Sequence, residues 1–237
     1  MNKRNLAIAG LAGLVLGGSA VALATGQFPG RDPATARVEK IVHDYVLAHP
    51  EIIPQAMERL QARQTAKTVA SNRAAFETPF GSAWAGAEQG DVVLVEFFDY
   101  ACGFCRKSNA DIDRLLAEDK KLKVVWRELP VLGEDSIAAA EASLAAARQG
   151  RFRSFYDRLF EAGRPTSAAI AQAQKAAGVA AAPLAPDARA ELDKNYQLAQ
   201  AVNASGTPTF VVGDRVLQGA VGYETLKQAI AEARSGS

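Results

Sequence analysis

Cys102 and Cys105 are the only cysteines in this 237-residue chain, and they are separated by Gly103 and Phe104. Thiols at this spacing, at the start of a helix, come within bonding reach of each other. The first sits where backbone amides and the helix dipole favour its thiolate. Cys102 is therefore expected to be a nucleophile that attacks a disulfide in a client protein. Cys105, one turn further on and less exposed, would resolve the mixed disulfide. Neither Gly103 nor Phe104 can add charge to the thiolate, so the thiol pKa should be less extreme than in the strongest oxidants. Two other readings are an inert stapling disulfide and half of a zinc site. A zinc site normally takes four ligands, and beyond this pair the chain offers only His43 and His49, far upstream.

Two further positions bear on that chemistry. Glu96 is the one charged residue in the apolar run Val92 to Phe98 and lies six positions before Cys102. An unpaired buried carboxylate is costly, so it should have a raised pKa, a partner or a proton-handling task. The functional reading is a group that exchanges a proton, directly or through water, as Cys105 attacks the mixed disulfide. The other reading is a strand-end residue reaching solvent, because alternation alone does not fix its face. Thr207-Pro208 follows Gly206. Taken alone it reads as an ordinary turn, and the alternative is a cis-proline that brings backbone groups against the reactive disulfide.

The elements that must position these groups follow from periodicity. Val92 to Phe98 reads as a strand buried on both faces, Asn109 to Leu116 as a helix and Lys123 to Trp126 as a second strand. An alanine-rich helical block follows. Thr209 to Val212 and Arg215 to Gln218 then flank Gly213-Asp214 as a hairpin, and Tyr223 to Ala233 closes as a helix. The order predicts an α/β fold, a mixed sheet with helices on both faces. Upstream, Val38, Ile41, Val42, Tyr45, Val46, Ile52, Ile53, Met57 and Leu60 recur at helical spacing. His49-Pro50 divides them into two amphipathic helices beginning near Ala34. Arg63 to Glu77 reads equally as helix or linker.

Charges nearly cancel, with 27 Lys and Arg against 26 Asp and Glu, so no basic field exists to hold nucleic acid. Lys3 and Arg4 precede an uncharged segment, and Ala22-Leu23-Ala24 supplies small residues for cleavage. Residues 1–24 are therefore expected to be an export signal. Leu6 to Ala24 is also nearly long enough to remain as an anchor in a bilayer core of about 30 Å. Either outcome puts the rest of the chain in the periplasm or otherwise outside the cytoplasm, where a cysteine pair can be oxidised.

The run Glu96-Phe97-Phe98-Asp99-Tyr100-Ala101-Cys102-Gly103-Phe104-Cys105, with Gly206-Thr207-Pro208-Thr209-Phe210 about a hundred residues later, resembles the DsbA-like branch of the thioredoxin superfamily. The resemblance covers roughly residues 80–235 and implies a thioredoxin fold with a helical domain inserted at about 136–203. It also implies a nucleophilic Cys102, a resolving Cys105, Glu96 as buried acid, and Pro208 cis with Thr207 facing the cysteines. Val42 to Glu51 resembles the amino-terminal extension of ScsC-like proteins, associated with suppressing copper sensitivity. That likeness implies that residues 34–75 form a helical extension through which the chain self-associates, with Tyr45, Ile52, Ile53 and Met57 as contacts; packing against the chain's own catalytic domain is the other outcome.

The leading expectation is a disulfide isomerase or reductase acting on misoxidised client proteins, with no cofactor beyond the Cys102-Cys105 couple and a membrane redox partner to reset it. Gly-Phe between the cysteines departs from the Pro-His of the strong oxidase, and a monomeric oxidase is the nearest rival. A copper-tolerance protein that binds Cu(I) through the two thiolates is a third reading, with His43 and His49 as further candidate ligands.

Overall fold

The structure, a computed structural model, describes residues 32–180 and 185–236. The expected export signal lies outside the described residues. Among the described residues no helix is long and apolar enough to cross a membrane.

The fold divides into two compact units, one ending at Glu58 and one running from Arg59 to the carboxyl terminus. Helix α1 (Pro33–Ala48) belongs to the first. Asp32 caps it by accepting the Ala34 amide at 3.0 Å, and Pro33 takes the first helical position, where a missing N–H costs nothing. His49-Pro50 ends it as expected, and α2 (Ile52–Ser71) follows. Arg63 to Glu77, open on sequence grounds, is helical: α2 continues to Ser71 and a short α3 (Arg73–Glu77) succeeds it.

In the second unit the strands are β1 (Trp84–Gly86), β2 (Val92–Phe98), β3 (Leu122–Glu128), β4 (Thr209–Val212) and β5 (Arg215–Gln218). They form one sheet in the order β1-β3-β2-β4-β5. β2 and β3 are parallel, and the other pairs are antiparallel, so the sheet is mixed. The edge strand β1 was not predicted: its three residues are too few to display a period. Helix α4 (Gly103–Glu118) connects β2 to β3. The helical block resolves into α5 (Glu134–Arg148), α6 (Phe152–Ala162), α7 (Ser167–Ala177) and α8 (Pro186–Ala201), and α9 (Tyr223–Ser235) closes the chain. The hairpin turns through Gly213 at φ +56°, where a Cβ would also lie 2.9 Å from that of Ala233.

The sheet is covered on both faces. One buries Leu94, Phe98, Val124, Trp126 and Phe210 against α4, α6 and α9. The other buries Val95, Phe97, Val125 and Val211 against Val69, Phe76 and Leu198. Because strand side chains alternate, even-numbered β2 residues share the first face, and Glu96 is among them.

Candidate active site

Cys102 is the N-cap of α4, in extended backbone that leaves its sulfur over the first turn, where it accepts the Cys105 amide at 3.4 Å. The Thr207–Pro208 peptide is cis, and the Cys102 thiol donates to the Thr207 carbonyl at 3.2 Å. Both cysteines are reduced and buried. Their environments push the two thiols apart. A hydrogen bond from the Cys105 thiol, reinforced by the Thr207 side chain and the amides of Cys105 and Phe104, lowers Cys102 to about 5 against the desolvation that opposes it. Burial, with the Cys102 sulfur and the Glu96 carboxylate adding to it, pushes Cys105 well above the ordinary thiol range.

Glu96 is fully buried and does not reach solvent as a strand end would. Its strand neighbours are Trp126 on β3 and Phe210 on β4. Burial lifts its carboxyl to about 8, offset in part by Trp126 and Tyr156. Tyr156 Oη lies 3.5 Å from Oε2. Oε1 and the indole Nε1 of Trp126 are the buried side-chain polar atoms without a hydrogen bond among the described residues. Glu96 is close enough to both cysteines for charge on one to disfavour charge on the other.

Cys102, Cys105, Glu96, Thr207 and Pro208 thus converge, although more than a hundred residues separate the first of them from the last. Sequence reasoning passed over Asp99, which holds the site's shape. Its Oδ1 accepts the Ala101 amide and the Ser136 hydroxyl, its Oδ2 accepts the Val131 and Leu132 amides, and its carbonyl accepts the Cys102 amide. It therefore joins the cysteine loop to the segment after β3. A short polar residue just ahead of a helix cap was the available signal. Tyr156 and Asn109 were also missed, and only the packing of α6 over the sheet reveals them. The exposed Phe104, Val131 and Leu132 supply apolar surface on the cysteine loop and the segment Asp99 ties to it.

His43 lies beside Asp44, and His49 packs at a tilt against the Tyr45 ring and faces Glu51. No group of three or more His, Cys, Asp or Glu side chains able to hold a metal ion occurs among the described residues.

A DSBA-like thioredoxin domain matches residues 93–231, more than half of the sequence. The chain belongs to that family. The amino-terminal domain of the copper resistance protein ScsC also matches, over residues 35–67. A linker-deletion mutant of Proteus mirabilis ScsC superposes with a TM-score of 0.73 at 26% identity, covering 89% of this chain and 100% of that one. A periplasmic thioredoxin-like protein of Salmonella enterica serovar Typhimurium gives 0.64 at 29% identity, covering 69% of this chain and 95% of that one. A curated relative, the Na(+)/H(+) antiporter NhaA 3 of Salinispora tropica, is 29% identical over 166 residues, 62% of this chain and 24% of that protein. The chain thus spans about a quarter of the length of the curated relatives it matches. The family match gives the chain a thioredoxin-like fold with a helical insert and amino-terminal helices.

Proposed function

We propose that this DsbA-like chain is an exported, periplasmic thiol-disulfide oxidoreductase, an isomerase or reductase of misoxidised client disulfides. The opposed ionisation of its thiols carries the chemistry: a thiolate at Cys102 is ready at neutral pH, while Cys105 stays protonated until it is needed. The Cys102 thiolate attacks a client disulfide, forming a mixed disulfide and releasing one client thiolate. That thiolate can attack a second disulfide in the client, and the thiolate displaced there attacks the mixed disulfide and frees Cys102, which rearranges disulfides with no net electron transfer. Alternatively Cys105 gives its proton to Glu96 in its ionised form and attacks the Cys102 sulfur of the mixed disulfide, displacing the second client thiolate. The reduced client then leaves, and two electrons have passed to it from the couple. A membrane dithiol partner restores them by the same exchange.

Isomerisation is favoured over one-way oxidation by the amino-terminal helices. Val38, Ile41, Val42, Tyr45, Ile53, Met57 and Leu60 stand exposed on α1 and α2, in the segment that matches the ScsC amino-terminal domain. Burying that face against other copies of the chain would bring several Cys102 thiolates to one client. The test compares reactivation of scrambled ribonuclease with oxidation of reduced ribonuclease, for the full chain and for a Tyr45→Asp/Met57→Asp variant. Unscrambling that falls in the variant supports the proposal. Oxidation alone, unchanged in the variant, identifies a monomeric oxidase.

A second reading, Cu(I) binding, rests on the two adjacent soft sulfur donors. Anaerobic Cu(I) titration tests it: tight binding that is lost in Cys102→Ser supports it, and absence of binding removes it.

A further inference from the structure

Glu96 is sealed from solvent, and its hydrogen-bonding neighbour among the described residues is the hydroxyl of Tyr156, delivered by α6 of the helical insertion. The same hydroxyl lies 2.7 Å from Oδ1 of Asn109, a half-buried residue on the cysteine-bearing helix α4. A phenol has one proton to donate and can accept another. With Oδ1 of Asn109 facing it, the hydroxyl can donate to Asn109 or to an ionised Glu96, but not to both.

We infer that Tyr156 is a positioning residue for the buried acid, switching its single hydroxyl proton between Asn109 and Glu96 as Glu96 gains and loses a proton. With Glu96 protonated, Tyr156 donates to Asn109 and presents its oxygen to the acid. The distances of 2.7 Å to Asn109 and 3.5 Å to Oε2 match this arrangement. When Glu96 ionises, the hydroxyl turns to the carboxylate and Asn109 is left to the solvent it partly faces. The helical insertion thereby reaches the proton step of a centre built on the sheet, and Asn109 competes with the acid for one proton.

The other groups facing Glu96 do not supply this switch. Cys102 and Cys105, from the α4 segment, disfavour its charge and cannot donate once ionised. Arg153 on α6 acts only at a distance, being held by Asp113 and Asp157 with its guanidinium over the Trp126 and Tyr156 rings. Trp126 on β3 also lowers the Glu96 carboxyl, but its indole N–H has no other acceptor to turn to and so cannot switch. Tyr100 is within electrostatic reach but its hydroxyl bonds elsewhere, with Ser143. From β4 comes only the apolar Phe210.

Two substitutions then move the acid in opposite directions. Tyr156→Phe deletes the donor, so the ionised form loses its hydrogen bond and the Glu96 titration moves up by about one pH unit. Asn109→Ala deletes the competitor, so the hydroxyl is free for the carboxylate and the titration moves down. In the double variant Asn109 has nothing to compete for, and the midpoint equals that of Tyr156→Phe. The inference rests on Glu96 being the acid that serves Cys105, so the experiment carries a separate arm for that reading.

The carboxyl resonance of Glu96 is titrated in the reduced full chain labelled with 13C-glutamate, assigned by its loss in Glu96→Gln. The pH dependence of mixed-disulfide resolution by Cys105 is measured in parallel. Opposite shifts, with the double variant following Tyr156→Phe, support the switch. Unmoved midpoints, or shifts of the same sign, overturn it while leaving the acid role intact if Glu96→Gln flattens the resolution profile. A Glu96→Gln profile identical to wild type overturns the acid role itself.

Discussion

Cys102 and Cys105 sit three residues apart at the start of one helix, yet their surroundings push their ionisation in opposite directions. Cys102→Ser should abolish exchange with clients, and Cys105→Ser should trap mixed disulfides that non-reducing gels resolve as client adducts. The depressed thiol also makes a stability prediction. Its folded value is about 5 against an ordinary 9, so its contribution to the reduced fold is complete above about 9 and vanishes as the pH falls to about 5. Denaturation of the reduced chain beside Cys102→Ser should show wild type gaining relative stability as pH rises through that window. Glu128 predicts the reverse sign. It is buried, accepts the Ser143 hydroxyl at 2.7 Å in a chain continuing to Tyr100, and burial raises it to about 7. The unfolded chain ionises this carboxyl first, so the fold loses stability as pH rises from about 4.5 to 7. Glu128→Gln, which cannot ionise, should therefore gain on wild type across that window, by an amount on the order of 3 kcal/mol. Thermal melts on either side of the window would measure it.

At the scale of elements, the helical insertion is joined to the sheet through polar contacts as well as apolar ones. Arg127, buried at the end of β3, donates to Glu191 at 2.6 Å and Asn195 at 2.9 Å on α8, and to the carbonyls of Ala75, Phe76 and Thr78 around α3. Arg127→Leu removes the buried partner of Glu191, leaving it the half-exposed Lys194, and orphans those carbonyls; it should cost about 3–5 kcal/mol in urea denaturation. Adding Glu191→Leu should recover part of that loss, since the poorly compensated charge is then gone. The reasoning that singled out Glu96 as a charge in an apolar strand applied equally to Arg127 and Glu128. It missed them because the predicted strand stopped at Trp126, two residues short of its end.

For the whole molecule, the proposed isomerisation turns on the exposed amino-terminal face. Met57 is 67% exposed and Tyr45 56%, and side chains of this kind in sequence are indifferent to whose core they join. If they join other copies, sedimentation should give a mass well above one chain that falls in Tyr45→Asp/Met57→Asp, with the rate of Cys102 alkylation unchanged. A truncation up to Ala74 would be a poor substitute, because it also removes Val69, which is buried beneath the sheet with Phe97 and Val125.

The sequence by itself determined what depends on neighbours along the chain. The cysteine spacing, the α1–α2 break before Pro50, the apolar β2 run and the Gly213-Asp214 hairpin are all local, set by backbone sterics and by periods of about 2.0 and 3.6 residues. Only the tertiary structure decided what depends on faces and on distant partners. It put Glu96 on the face beneath α4 and α6, brought the Thr207 carbonyl to Cys102 and set Tyr156 between Glu96 and Asn109. Those placements follow from how helices pack across a sheet. A one-residue change of register would send Glu96 to the opposite face with hardly any change in local pattern.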